Sequence, residues 1–237
     1  MTDKKQHKKR LDSVDAIRGF AVVLMIFHHF CYDLVEFLNA PLWLYTNPVL
    51  DVFHYIFTGI FIMLCGVSSR FSRSNIKRGI ITFAVAMVIS AVTYIIDMPI
   101  IFGVLHLLSF CMIFYGITGS LWEKLPKWIM PVFTVLGTIV SVWCLNNITT
   151  DSRNLWILGW DYPGFVSYDY FPLLPWIFVF LFGTWLGYYI KENRFPKKFY
   201  TAKIPVFPII GRNALIIYIV HQPVLFGITM LIKLFIK

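Results

Sequence analysis

Residues 17–38 read IRGFAVVLMIFHHFCYDLVEFL. The run is long enough to cross a bilayer, since a helix needs about 20 apolar residues to span roughly 30 Å of hydrocarbon. Yet it carries His28, His29 and Asp33. Ionisable groups at such a depth are costly and mark functional sites more often than packing. The stretch therefore predicts two things at once: a membrane helix, and chemistry inside it.

The rest of the chain agrees with the first reading. Of 237 residues, 58% are hydrophobic and only 14% charged, against about 25% charged in soluble domains. Such a chain is an all-α, polytopic membrane bundle forming a single domain over 1–237. The net charge of +9 does not indicate a nucleic-acid partner, because the lysines and arginines lie in short clusters between apolar runs, as topology determinants do. Cys31, Cys65, Cys111 and Cys144 each stand alone in apolar surroundings, with no metal-type spacing. They read as small hydrophobes, and no metal is expected. The N-terminal "MTDKKQHKKR" precedes an apolar run too long for a signal peptide, so it is read as a basic cytoplasmic tail over 1–10.

Seven spans are expected, near 17–38, 49–69, 79–97, 99–119, 127–146, 170–190 and 209–235, with "DMP" dividing the third from the fourth. With the N-terminus in the cytoplasm, the inner segments hold six, four, two and six of the 21 Lys/Arg, leaving Arg153, Lys233 and Lys237 outside. That bias sets the orientation. The extracytoplasmic loop 147–169 is rich in Trp, Tyr and Asp. Those rings exclude disorder and suit either a saccharide or an interfacial aromatic belt. No internal repeat is present.

Five of the six histidines fall within the expected spans. At about 1.5 Å rise per residue, His29, His54, His106 and His221 lie in the middle-to-outer part of the bilayer on four different helices. They are expected to line one outward-opening cavity, against the alternative of separate core histidines. His29 and Asp33, four apart, share a helix face. A carboxylate on one ring nitrogen would leave the other to take a proton. His28, about 100° away, reads as packing or a helper.

"RLDSVDAIRGFAVVLMIFHHFCYDL", "FGVLHLLSF", "YFPLLPW" and "GRNALIIYIVHQPVL" resemble, in this order, bacterial members of the heparan-alpha-glucosaminide N-acetyltransferase catalytic-domain family. The likeness runs from about Arg10 to Leu225. It implies a multi-pass enzyme of the bacterial cytoplasmic membrane that takes acetyl from cytosolic acetyl-CoA and passes it to an amine or hydroxyl, often of a sugar or envelope glycan, on the far side. The family's histidine in the first span corresponds to His29, that of G-[IV]-L-H to His106 and that of H-Q-P to His221. The chain differs from the lysosomal relative in being shorter, with fewer spans and no luminal domain, so the heparan substrate is not carried over.

On that reading His29, with Asp33, is the base or a transient acetyl carrier, while His106 and His221 orient the acceptor or stabilise the oxyanion. Arg18 and Arg212 are candidates for the CoA phosphates, or else inner-face anchors, with Asp15 as an ion-pair partner of Arg18. Asp169, Trp176, His54 and Asp51 are candidates for contact with the acceptor. Gly183 and Gly187 read as close helix packing. Two other classes compete: a haem electron carrier, which histidines on several helices would also serve, and a small-molecule or proton transporter. A homodimer stays open, because lipid-facing and subunit-facing surfaces are equally apolar.

Overall fold

The computed structural model describes residues 11–150 and 152–236; the basic tail 1–10 lies outside the described residues. Among the described residues the elements are helical and there is no strand. They are α1 (Asp12–Leu38), a 3-10 turn (Leu42–Leu44), α2 (Pro48–Phe71), α3 (Asn75–Ile95), α4 (Val104–Lys124), α5 (Ile129–Asn147), α6 (Trp176–Lys191), α7 (Lys197–Thr201), α8 (Phe207–Arg212) and α9 (Ala214–Ile236). Six helical segments are long and apolar enough to cross a membrane, and α6 is a shorter apolar helix. The surface is correspondingly greasy: Ile95 is 79% and Phe235 88% exposed. Side chains so placed would aggregate in water but are at home against acyl chains. The protein is a multi-pass integral membrane protein.

The chain forms two compact units: 1–61 with 195–237, and 62–194. In the first unit, α1 packs on α8 and α9. Its contact with α8 is made by glycine. A Cβ on Gly19 would stand 2.1 Å from the Phe207 carbonyl oxygen, and one on Gly211 would stand 1.8 Å from that of Asp15. Only hydrogen at both positions lets the backbones meet. The same seam carries charge. Asp15 accepts from Arg18 Nη1 at 2.9 Å and from Arg212 Nε at 3.3 Å, while Asp12 accepts from Arg212 Nη2 at 2.5 Å.

In the second unit, the later part of α2 meets α6 in the same manner. A Cβ on Gly183 would lie 1.9 Å from the Met63 carbonyl oxygen, and one on Gly66 would lie 2.1 Å from that of Phe180. The "GTWLG" spacing thus does mark close packing. Phe180, Ile62 and Leu107 are fully buried in this unit.

Helix boundaries follow local chemistry. Asn47 caps α2, its Oδ1 accepting from Val49 N at 2.8 Å, and Pro48 occupies the first helical position. Ser74 caps α3 through Lys77 N. Three of the departures from the expected span boundaries have a clear local cause. The fourth span starts at Val104 rather than 99, because segment 99–103 pairs with the distant segment 168–171 (Tyr168 N to Pro99 O at 3.0 Å, Phe171 N to Phe102 O at 2.9 Å). The sixth starts at Trp176 rather than 170, since Leu173 N donates to Ile157 O instead of entering a helix, and Pro172 and Pro175 lack a helical donor. The seventh is broken at Asn213 into α8 and α9.

The connection 148–175 is folded, not loose. Trp160 Nε1 donates to Ile148 O at 2.6 Å, and Phe165 packs against Tyr170 and Tyr162 with ring centroids 4.9 and 5.4 Å away. The Tyr170 hydroxyl donates to the Trp156 carbonyl. Its burial, reinforced by the nearby Asp161, pushes its pKa up to about 12.

Candidate functional site

In the first unit, three helices bring four imidazoles into one continuous chain. α1 supplies His28 and His29 on successive positions, α2 supplies His54, and α9 supplies His221. The His54 and His28 rings lie 4.3 Å apart, centroid to centroid and 32° from coplanar; His28 and His29 are 6.1 Å apart, and His29 and His221 5.0 Å. Tyr45 stands 5.0 Å from the His28 ring, and Phe57 flanks both His28 and His54. Asp51, near the start of α2, is exposed.

His221 has a defined tautomer. Its Nδ1 lies 2.6 Å from the Tyr218 carbonyl oxygen. A carbonyl can only accept, so Nδ1 carries the proton and Nε2 presents a lone pair. Nε2 is buried and has no hydrogen-bond partner among the described residues. Pro223 follows two residues on and, lacking an N–H, leaves the neighbouring Ile219 carbonyl without its ladder donor.

Asp33 is fully buried. The sequence spacing pairs it with His29. In the structure its Oδ1 instead accepts from Gln222 Nε2 of α9 at 2.9 Å, and no hydrogen bond joins it to the His29 ring. A primary amide one bond away outcompetes an imidazole on the same helix. The remaining oxygens, Asp33 Oδ2 and Gln222 Oε1, are buried acceptors without a donor among the described residues. Unmet buried acceptors are expensive and suit a ligand rich in N–H or O–H groups.

His106 sits in the second unit, and its surroundings are different. Nδ1 accepts from Gly103 N at 3.2 Å, closing the start of α4, and Nε2 lies 3.4 Å from Ser90 Oγ. The Ser90 hydroxyl donates to Ile100 O at 2.5 Å, so Nε2–H is the donor to Ser90 and both ring nitrogens are engaged. The ring also stacks on Phe102 at 5.7 Å. This is a helix-capping histidine. Asp169 works at the same place: its Oδ2 accepts from Val104 N at 3.2 Å, and a Cβ on Gly103 would come within 2.3 Å of that oxygen. A carboxylate at a helix start satisfies free N–H groups and the helix dipole. Trp176 opens α6 and packs on Phe171. Replacing His106 by leucine should therefore lower thermal stability by about 1–3 kcal/mol, because the buried Gly103 N–H loses its acceptor. Acetyl transfer by the folded fraction should stay near wild type, and a selective loss of turnover at unchanged melting temperature would contradict the capping role.

Arg18 and Arg212 are both committed to carboxylates. Arg212 holds Asp12 and Asp15, and Arg18 holds Asp15 and, at 3.3 Å, the Gly211 carbonyl. No metal-binding group of three His, Cys, Asp or Glu occurs among the described residues.

Residue spacing alone undervalued His28, Gln222 and Tyr45. The doublet "HH" and the glutamine of "HQP" were the available signals, but only the packing of α1, α2 and α9 shows what they touch.

An all-helical, multi-pass membrane protein with a buried histidine chain and unmet acceptors is the class that fold and site define. The chain belongs to the family described as heparan-alpha-glucosaminide N-acetyltransferase, catalytic, whose model matches residues 10–223. No curated protein and no solved structure matches it. Fold and family together make it a membrane acetyltransferase.

Proposed function

We propose that residues 1–237 act as one acyltransferase domain that moves acetyl from cytosolic acetyl-CoA to an amine or hydroxyl, of a saccharide or envelope glycan, on the outer side of a bacterial cytoplasmic membrane. The observation that carries this reading is His221, whose proton is fixed on Nδ1 and whose Nε2 is a buried, unpartnered base.

The chemistry follows from those groups. Asp33 Oδ2 and Gln222 Oε1 accept hydrogen bonds from the incoming acceptor. His221 Nε2 takes a proton from its nitrogen or oxygen as that atom attacks the thioester carbonyl. His29, 5.0 Å from His221, donates to the oxyanion, and its position also suits the role of transient acetyl carrier. The carbon–sulfur bond then breaks, and the proton on His221 passes to the departing thiolate. If the acceptor arrives as an ammonium, one further proton must leave. The chain His29, His28, His54 offers it a path of imidazoles toward the exposed Asp51.

Arg18 and Arg212, the residues expected to meet the donor's phosphates, are instead engaged by Asp12 and Asp15.

Purified protein in liposomes, given radiolabelled acetyl-CoA and a panel of amino sugars and glycans, is the test. Label appearing in an acceptor supports the reading. Label neither transferred nor retained on histidine removes it, and a Soret band in the purified protein would favour the haem alternative instead.

A further inference from the structure

Arg70 is the second unit's unexplained cation. A positive charge at a helix end normally snorkels into water, but the Arg70 side chain is only 12% exposed. The close approach of α6 at Gly187 holds it in: a Cβ on that glycine would stand 2.9 Å from Arg70 Cβ. Both of its polar contacts use Nη1, which donates to the Tyr115 hydroxyl at 2.7 Å and meets Glu123 Oε1 at 3.1 Å. Nε is buried with no partner among the described residues. The guanidinium edge that grips oxyanions bidentately is thus unspent.

A second cation converges on the same spot. Lys127 Nζ lies 4.6 Å from the centre of the Tyr188 ring, and Arg70 Cζ lies 5.5 Å from it. Trp185 Nε1 donates to the Lys127 carbonyl at 2.8 Å, which fixes that segment against α6. Two cations on one ring repel each other unless an anion lies between them. The carboxylate present, that of Glu123, is 61% exposed. An exposed carboxylate of this kind is a weak, exchangeable partner.

We propose that Arg70, Lys127 and Tyr188 form a binding site for a phosphate-bearing group, which displaces Glu123. The site deepens the acyl-transfer reading by seating the phosphorylated nucleotide end of the donor, and to that extent rests on it. A phosphate brings more negative charge than the carboxylate and fits the guanidinium fork. Phosphate can also come from an anionic lipid headgroup, and the two sources are separable.

The test is calorimetric titration of the protein in phosphatidylcholine nanodiscs with CoA and with ADP, alongside native mass spectrometry of protein prepared with phosphatidylglycerol. Arg70→Gln should weaken nucleotide binding about tenfold or more, the scale of a lost charge-assisted hydrogen bond. Lys127→Gln, at a half-buried position whose Nζ also donates to the Glu123 carbonyl at 3.1 Å, should weaken it severalfold. Glu123→Gln should tighten it by removing the competing anion. That opposite sign separates site chemistry from damage to folding. If neither nucleotide binds but retained phosphatidylglycerol is lost in both Arg70→Gln and Lys127→Gln, the phosphate site stands and its source is lipid. Nucleotide and lipid binding indifferent to all three changes overturns the proposal. Acetyl transfer and CoA binding both intact in Arg70→Gln and Lys127→Gln would sink the site while leaving the acyl-transfer reading standing. Binding at Arg70 without any acetyl transfer by the wild type would do the reverse.

Discussion

Replacing His221 by asparagine is expected to cut kcat/KM for acetyl transfer by about 10²- to 10⁴-fold, the usual contribution of a positioned general base. Asparagine is the informative choice. Its amide nitrogen occupies roughly the place of Nδ1 and can still donate to the Tyr218 carbonyl, so the turn before Pro223 keeps its bond. What disappears is Nε2, the unpartnered lone pair. Melting temperature should therefore move little while turnover collapses. His29→Asn should also be severe, because that ring is 5.0 Å from His221, whereas His54→Asn should slow the reaction of amine acceptors more than of hydroxyl acceptors, since only an ammonium leaves a net proton to export. Near-wild-type turnover in His221→Asn would move the base elsewhere, with His29 next in line.

The second large effect belongs to the α1–α8 seam. Gly211→Ala should lose most of the folded protein, because its new Cβ would stand 1.8 Å from the Asp15 carbonyl oxygen and 2.7 Å from its carbon. Both are backbone atoms, which cannot rotate away as a side chain can. Overpacking commonly costs about 1–3 kcal/mol, and this case should reach or exceed the upper end, because the helices must part. Parting them would also pull Arg212 from Asp12 and Asp15. Gly227→Ala is the matched control. A Cβ there meets nothing within 4 Å, and alanine in a helix interior is favoured over glycine by roughly 0.5–1 kcal/mol. Thermal unfolding in detergent should show a large drop for the first and none for the second. Equal behaviour of the two variants would mean that the close approach does not hold the seam.

The contrast between those two glycines illustrates what could be read from residues alone. Gly211 stands beside Arg212 and Asn213 and Gly227 lies in an apolar run, yet neither setting reveals whether another backbone approaches. Gly183 and Gly187 could be recognised by their spacing of four, a pattern local to one helix. Gly19 and Gly211 could not, since each is explained by the other's helix. The same division runs through the histidines. That His29, His54 and His221 were candidates was legible, because an ionisable group in a span is costly wherever its helix goes, whereas His28 read as packing or a helper. The His29–Asp33 pairing was inferred from a separation of four, and Gln222, 189 residues from Asp33, took that carboxylate instead. His106 resembled its fellows in depth and in motif, yet Gly103 and Ser90 occupy both its nitrogens.

Unaided, the amino-acid order determined a multi-pass helical membrane protein, the approximate spans and their charge bias. Those properties are set by local run length and by transfer of side chains from water to hydrocarbon, and both add up along the chain. Where α4 and α6 begin, which ring nitrogens are left bare, and which arginine keeps an unspent edge were decided only by tertiary structure. Each depends on competition among hydrogen-bond partners far apart in the chain, and only packing settles which of them come within reach.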